Sequence, residues 1–208
     1  MQNKKQLSKV LFLISLLAST ITLIANDNKV ACMKNDASAC YAYALPLVSG
    51  ENANIQDIRE EGLNYIRKAC VLGYHQACDV LGKNYFEDKS YIAARPHLEE
   101  SCNRGVKVAC ESMGVIYRDG HDVRNDDVKA REFFTKACAL KSPDACYNVA
   151  IIYRGGFGVT KSREKEKEFY KKGCDLGLKA SCDRFTELDN EDKGIETGFI
   201  ATMKAWFN

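Results

Sequence analysis

The chain has 208 residues, a length that fits one domain, and 30 basic residues against 28 acidic ones leave a formal net charge of +2. There is no basic field of the kind a nucleic-acid partner needs and no acidic tail, so DNA and RNA are excluded as expected partners. Three His residues and no tight C-x2-4-C spacing leave no metal site to expect.

Residues 1–25 have the pattern of a secretory signal. Lys4, Lys5 and Lys9 form a positive head, and Val10 to Ile24 is an apolar run broken only by Ser15, Ser19, Thr20 and Thr22. The run is short for a membrane span, no stop-transfer pattern follows, and Ala25 is the residue before the expected cut. A lipid-anchored reading would use Cys32, but Lys29 stands where that signal wants Leu and Cys40 would lose its partner. The mature chain of about 183 residues then carries ten cysteines in an oxidising space, which is heavy usage of disulfide type. A secreted or periplasmic location follows as the expectation.

The cysteines fall as Cys32/Cys40, Cys70/Cys78, Cys102/Cys110, Cys138/Cys146 and Cys174/Cys182, every pair spaced C-x7-C and successive pairs offset by 38, 32, 36 and 36 residues. A spacing repeated five times selects one pairing from the many that ten cysteines allow. Gly73, Gly105 and Gly177 stand three places after a first cysteine, with Asn35 and Lys141 at the same place in the other two pairs. Gly and Asn accept the left-handed end of a helix, so each first cysteine lies in a last helical turn. The second cysteine follows a small residue (Ala39, Ala77, Ala109, Ala145 or Ser181) and opens the next apolar-periodic stretch. Each disulfide is therefore expected to staple a helix-turn-helix joint.

After the second cysteine, Cys110, Met113, Gly114 and Tyr117 follow the i, i+3, i+4, i+7 pattern, as do Cys78, Leu81, Gly82 and Tyr85, and Cys146, Val149, Ala150 and Tyr153. A loop follows, Tyr117-Arg-Asp-Gly-His-Asp-Val in one unit and Tyr153-Arg-Gly-Gly-Phe-Gly-Val in another. A second amphipathic helix then presents Ala130, Phe133, Phe134 and Ala137 inward, with Phe169, Tyr170 and Gly173 equivalent to the last three. The second unit is four residues shorter between Tyr85 and Cys102, which reads as a trimmed loop, and Pro96 predicts a kink or a late start in its second helix. The fold class is all-α: a right-handed solenoid of antiparallel helix pairs over 26–190, since one pair cannot bury its apolar faces alone. In the tail, Ile195, Phe199, Met203 and Trp206 share one helical face, so 191–208 is expected to be a capping helix.

The C-x2-G-x3-A-C joints and the helix ends Gly114/Tyr117/Gly120 and Ala150/Tyr153/Gly156 resemble the Sel1-like repeats, disulfide-bearing relatives of tetratricopeptide repeats, over residues 30–190. They are similar to the secreted Helicobacter cysteine-rich protein family. That resemblance implies penicillin binding and slow β-lactam hydrolysis. Ser162-Arg-Glu-Lys165 matches S-x-x-K, the one catalytic candidate, but the companion S-D-N and K-T-G elements are absent and Ser162 stands where a helix begins. If the register resembles the tetratricopeptide one, the residues one, five and eight after the second cysteine face the concave side. Asp79, Lys83, Phe86, Glu111, Arg118, Tyr147 and Arg154 are the binding candidates there. The expected function is a monomeric binding scaffold for a peptide, a protein or a peptidoglycan-like ligand, with β-lactam hydrolysis as the alternative. No cofactor is expected.

Closing a nine-residue loop contributes roughly 2.5 kcal/mol per bridge in the chain-entropy account. Reduction is therefore expected to lower the melting temperature sharply, and an identical melt with and without strong reductant would refute the role given to the staples.

Overall fold

A computed structural model describes residues 20, 23–49 and 56–194. The elements in chain order are α1 (residues 23–33), α2 (Ala37–Ser49), α3 (Gln56–Val71), α4 (His75–Glu87), α5 (Tyr91–Asn103), α6 (Lys107–Asp119), α7 (Asp127–Ala139), α8 (Pro143–Gly155), α9 (Arg163–Asp175) and α10 (Lys179–Asp192). No strand occurs among the described residues. The expected signal segment and the tail beyond Gly194 lie almost wholly outside them.

All five joints use one backbone device. The residue three places after each first cysteine has a positive φ: Asn35 67°, Gly73 88°, Gly105 89°, Lys141 64° and Gly177 92°. Its N–H donates to the carbonyl of the first cysteine, at 2.8–3.0 Å, as in Gly105 to Cys102 (3.0 Å) and Gly177 to Cys174 (2.8 Å). The next N–H reaches back five residues, as in Val106 to Ser101 and Ser142 to Ala137, both 3.0 Å. That pair of bonds is the Schellman motif, and it satisfies carbonyls the helix end would otherwise leave bare. The reversal brings the cysteine Cα atoms to 4.5–4.8 Å, and all five expected disulfides are formed. No free thiol is left among the described residues, which closes off zinc ligation by the cysteines.

The chain falls into two compact units, 1–84 and 85–208. In the first, α2 packs on α3. Gly62 lies so close to Leu47 and Val48 that a Cβ there would stand 2.8 Å from either side chain. Lys29 donates to Glu61 (3.0 Å), which also accepts from the Tyr43 hydroxyl (3.1 Å), while the Tyr43 and Tyr65 rings meet edge-on at 4.9 Å.

The second unit stacks α5 to α10, each helix packing on the next in sequence. Asp126, Ser142 and Ser162 cap α7, α8 and α9, their side-chain oxygens accepting from Lys129, Ala145 and Lys165 backbone N–H groups at 3.0, 3.1 and 3.2 Å. The small residues before the second cysteines, Ala109, Ala145 and Ser181, are buried, which lets consecutive helices close up at the joint. The expected tyrosine pattern holds: Tyr117 stacks on Phe133 (5.6 Å) and Tyr153 on Phe169 (5.8 Å). Phe134 and Tyr170, one residue on, are wholly buried.

Helix α5 departs from expectation. It begins at Tyr91, five residues ahead of Pro96, so it has no late start. The trimmed loop is present, and its compactness has a cause: Lys89 (φ 58°) takes the left-handed conformation, and Ser90 N–H donates to Tyr85 O at 2.8 Å. A further Schellman reversal thus replaces the longer turn used after α6 and α8.

Two substitutions test this packing. A Cβ at Gly114 would meet the Phe134 ring at 2.6 Å, so Gly114→Ala is expected to cost about 1–3 kcal/mol as overpacking. At Gly177 nothing lies within 4 Å, so Gly177→Ala isolates the left-handed backbone and is expected to cost about 1–2 kcal/mol. Denaturant midpoints of the oxidised chain measure both.

Candidate functional site

The site develops where α6, α7 and α8 meet. Gly114 has no side chain, so the Phe134 ring of α7 drops against α6. The left-handed glycines Gly120 and Gly156 end α6 and α8 and turn the following loops across this edge. A cavity of about 440 Å³ results, open to solvent, with Phe134, Ile151, Ile152 and Phe157 as its apolar lining. Arg118, Asn125, Asp127 and Asn148 form its polar part.

Charge at the rim is organised around Arg118. Its Nε donates to Asp119 Oδ1 (2.7 Å), one terminal nitrogen donates to Asp119 Oδ2 (2.9 Å), and the other donates to Asn148 Oδ1 (3.4 Å). The guanidinium lies 5.8 Å from the centre of the Phe134 ring, a cation–π distance. Asn125 Nδ2 donates to the Arg118 carbonyl, tying the loop to the helix end. Hydrogen bonding to Arg118 holds the Asp119 carboxyl below its ordinary pKa, and the same bond raises that of Arg118. Phe157 remains 48% exposed, an aromatic ring held at the mouth of the cavity between Gly156 and Gly158. Gly158 (φ 60°) fits only because it lacks a side chain, since a Cβ there would stand 2.8 Å from the Val128 backbone nitrogen.

One repeat further on, the equivalent positions are more polar. Tyr170 replaces Phe134, and its ring meets that of Tyr147 at 5.3 Å. Arg154 stands where Arg118 does, and Arg184 where Asn148 does, both beside the Tyr170 hydroxyl. Burial raises the Tyr170 pKa, against the opposing pull of Arg154 and Arg184. The Tyr170 hydroxyl, Arg184 Nε and Glu166 Oε1 are buried without meeting a hydrogen-bond partner.

The seven binding candidates therefore separate. Arg118 lines the cavity, while Tyr147 and Arg154 flank Tyr170. Phe86 is half-buried edge-on against Tyr91 (5.6 Å) and belongs to the packing of the second unit. Glu111 is half-buried on α6 and lines none of the cavities described. Asp79 and Lys83 lie in the first unit, Asp79 near Tyr41. Asn148, Ile151 and Phe157 line the cavity without being among the seven. Ile151 satisfies the fifth-residue rule, and an aromatic flanked by glycines in an exposed loop is a readable signal for Phe157.

Ser162 and Lys165 do not form a nucleophile and base. Ser162 Oγ accepts from the Lys165 backbone N–H (3.2 Å) as the cap of α9. Lys165 Nζ instead donates to Glu168 (2.7 Å), and that bond raises the lysine pKa, which keeps the amine charged. Among the described residues, no helix is long and apolar enough to cross a membrane.

Residues 107–142 and 143–178 each match the family model for the Sel1 repeat. No curated protein matches the sequence. A protective antigen present in uropathogenic Escherichia coli strains, displaying an SLR fold, is similar at 21% identity with a TM-score of 0.69, over 81% of this chain and 36% of its own. A Sel1 repeat protein from Oxalobacter formigenes is similar at 18% identity with a TM-score of 0.65, over 84% of this chain and 72% of its own. Helicobacter pylori cysteine rich protein B shares 24% identity over 76% of this chain and 95% of its own, with a TM-score of 0.33. The chain thus spans about a third of the first of these structures.

Removing the cap tests the role given to Ser162. Ser162→Ala is expected to lower stability by about 1 kcal/mol, the usual worth of such a cap. A denaturation midpoint equal to that of the parent chain would contradict it.

Proposed function

We propose that this Sel1 repeat protein, with repeats at 107–142 and 143–178, is an exported binding scaffold that holds an extended segment of a protein or peptide across α6 and α8. The observation that carries the reading is the α6–α8 cavity, whose apolar lining is bordered by Arg118 and Asn148. A volume of about 440 Å³ accepts one large apolar side chain of the bound segment. Phe157 then closes on that side chain, and its burial removes exposed aromatic surface from water. The Asn148 amide and the Arg118 guanidinium stand at the rim as donors for backbone carbonyls on either side of it. Five disulfides support an oxidising location for the protein, periplasmic or extracellular.

The residues lining this cavity include no Ser, Thr, Cys, Lys or His, so it offers recognition without a hydroxyl, thiol or amine nucleophile. The oxidised chain, used to select from a random peptide library, is expected to enrich sequences with a large apolar residue. Phe157→Ala and Arg118→Ala should each weaken the selected peptides, Phe157→Ala on the order of thirtyfold if it anchors the interface. Peptides that bind both variants as tightly as the parent would place recognition elsewhere. Turnover of a chromogenic β-lactam that Ser162→Ala abolishes would overturn the scaffold reading itself.

A further inference from the structure

The last helix pair is half built among the described residues. Helix α10 is a first helix of the repeat, since it opens with the second cysteine of a pair, Cys182. In the preceding first helices the residue three after that cysteine is fully covered: Leu81 is 2% exposed, Met113 1% and Val149 0%. At the same position α10 carries Phe185, which is only partly buried. The Lys167 ammonium lies over its ring at 5.8 Å, and a cavity of about 510 Å³ opens beside it, with Lys167, Lys171, Phe185 and Asp192 in its walls. Helices α7 and α9 are what follow α6 and α8 and pack against them. No described helix follows α10.

We infer that this open face of α9 and α10 is the seat of the chain's own residues 195–208, as the second helix of the fifth pair. Four features favour that occupant over any other. The segment has fourteen residues against thirteen in α7 and in α9, so it matches its counterparts in length. It departs from Gly194, which takes the left-handed turn (φ 66°) two residues beyond Asp192 in the cavity wall, so no linker separates it from the groove. Its apolar residues Ile195, Phe199, Met203 and Trp206 recur on one helical face, and Trp206 follows Tyr170 by the same 36 residues that separate Tyr170 from the buried Phe134. Tethering also gives the segment an effective concentration at the groove that a separate chain does not reach in dilute solution. The lysine stems and the Phe185 ring supply apolar surface, while Arg163 and Lys167 are already neutralised by Asp189, Glu191 and Asp192. What the α6–α8 cavity binds has no bearing on this seat.

Trp206 is the only tryptophan, so its fluorescence reports the segment alone. In the oxidised chain its emission should be blue-shifted and shielded from acrylamide, equally at low and high protein concentration. Phe185→Lys should shift it to the red and remove the shielding. Because that change also alters α10 itself, Met203→Glu provides a second variant within the segment, expected to give the same red shift while disulfide content and the melting of the repeat helices stay close to the parent. Water-exposed emission from the native chain would overturn the inference. So would shielding that appears only as the chain dimerises, which would make a second copy the occupant.

Discussion

Everything in this fold depends on the reversal three residues after each first cysteine. A left-handed residue there lets two N–H groups turn back onto the helix end, and the following chain must then start antiparallel to the one it leaves. The disulfide is a consequence of that geometry as much as a support for it: with the reversal made, the two cysteines face one another across the joint. Two of the five joints reach the left-handed conformation with Asn35 and Lys141 in place of glycine. The lysine is the costlier choice, since a Cβ is crowded in that region. The bridge between Cys138 and Cys146 sits directly across that joint and constrains it.

From the joints the packing follows in steps. Small residues before the second cysteine bring helices together, and the missing side chain at Gly114 admits Phe134. The tyrosine at each first-helix end then covers the flank by stacking on the next helix. The same gap shapes the cavity, because a ring that sinks toward α6 leaves room above it. Structure and candidate site share one cause, which is why the cavity lies at a repeat boundary rather than on a specialised insertion.

The same causes decide what is readable from sequence. The five disulfides, the helix pairs, the cap at Ser162 and the short loop after α4 are all accessible from spacing, because each is a local rule repeated along the chain. The site is accessible only in part. Arg118 and Arg154 follow from a periodic rule, but Phe86 obeys the same rule and is spent on packing against Tyr91. Whether a face residue is open or covered depends on a neighbour set by the loop length, and the loop after α4 is the short one. Asn148 and Phe134 acquire their roles through contact with Arg118, thirty and sixteen residues away in sequence, which no local pattern encodes.

The bridges are all short-range, with partners eight residues apart, whereas Cys146 and Cys174 in adjacent joints stand 28 apart. Loop-closure entropy alone favours the nearer partner by about 1 kcal/mol, before the helix reversal adds its own preference. Each joint can therefore oxidise as soon as it emerges, without waiting for distant chain to arrive. The array is consequently modular in its redox chemistry: a repeat can be gained, lost or duplicated with its own bridge intact, and no other pairing has to be rewritten.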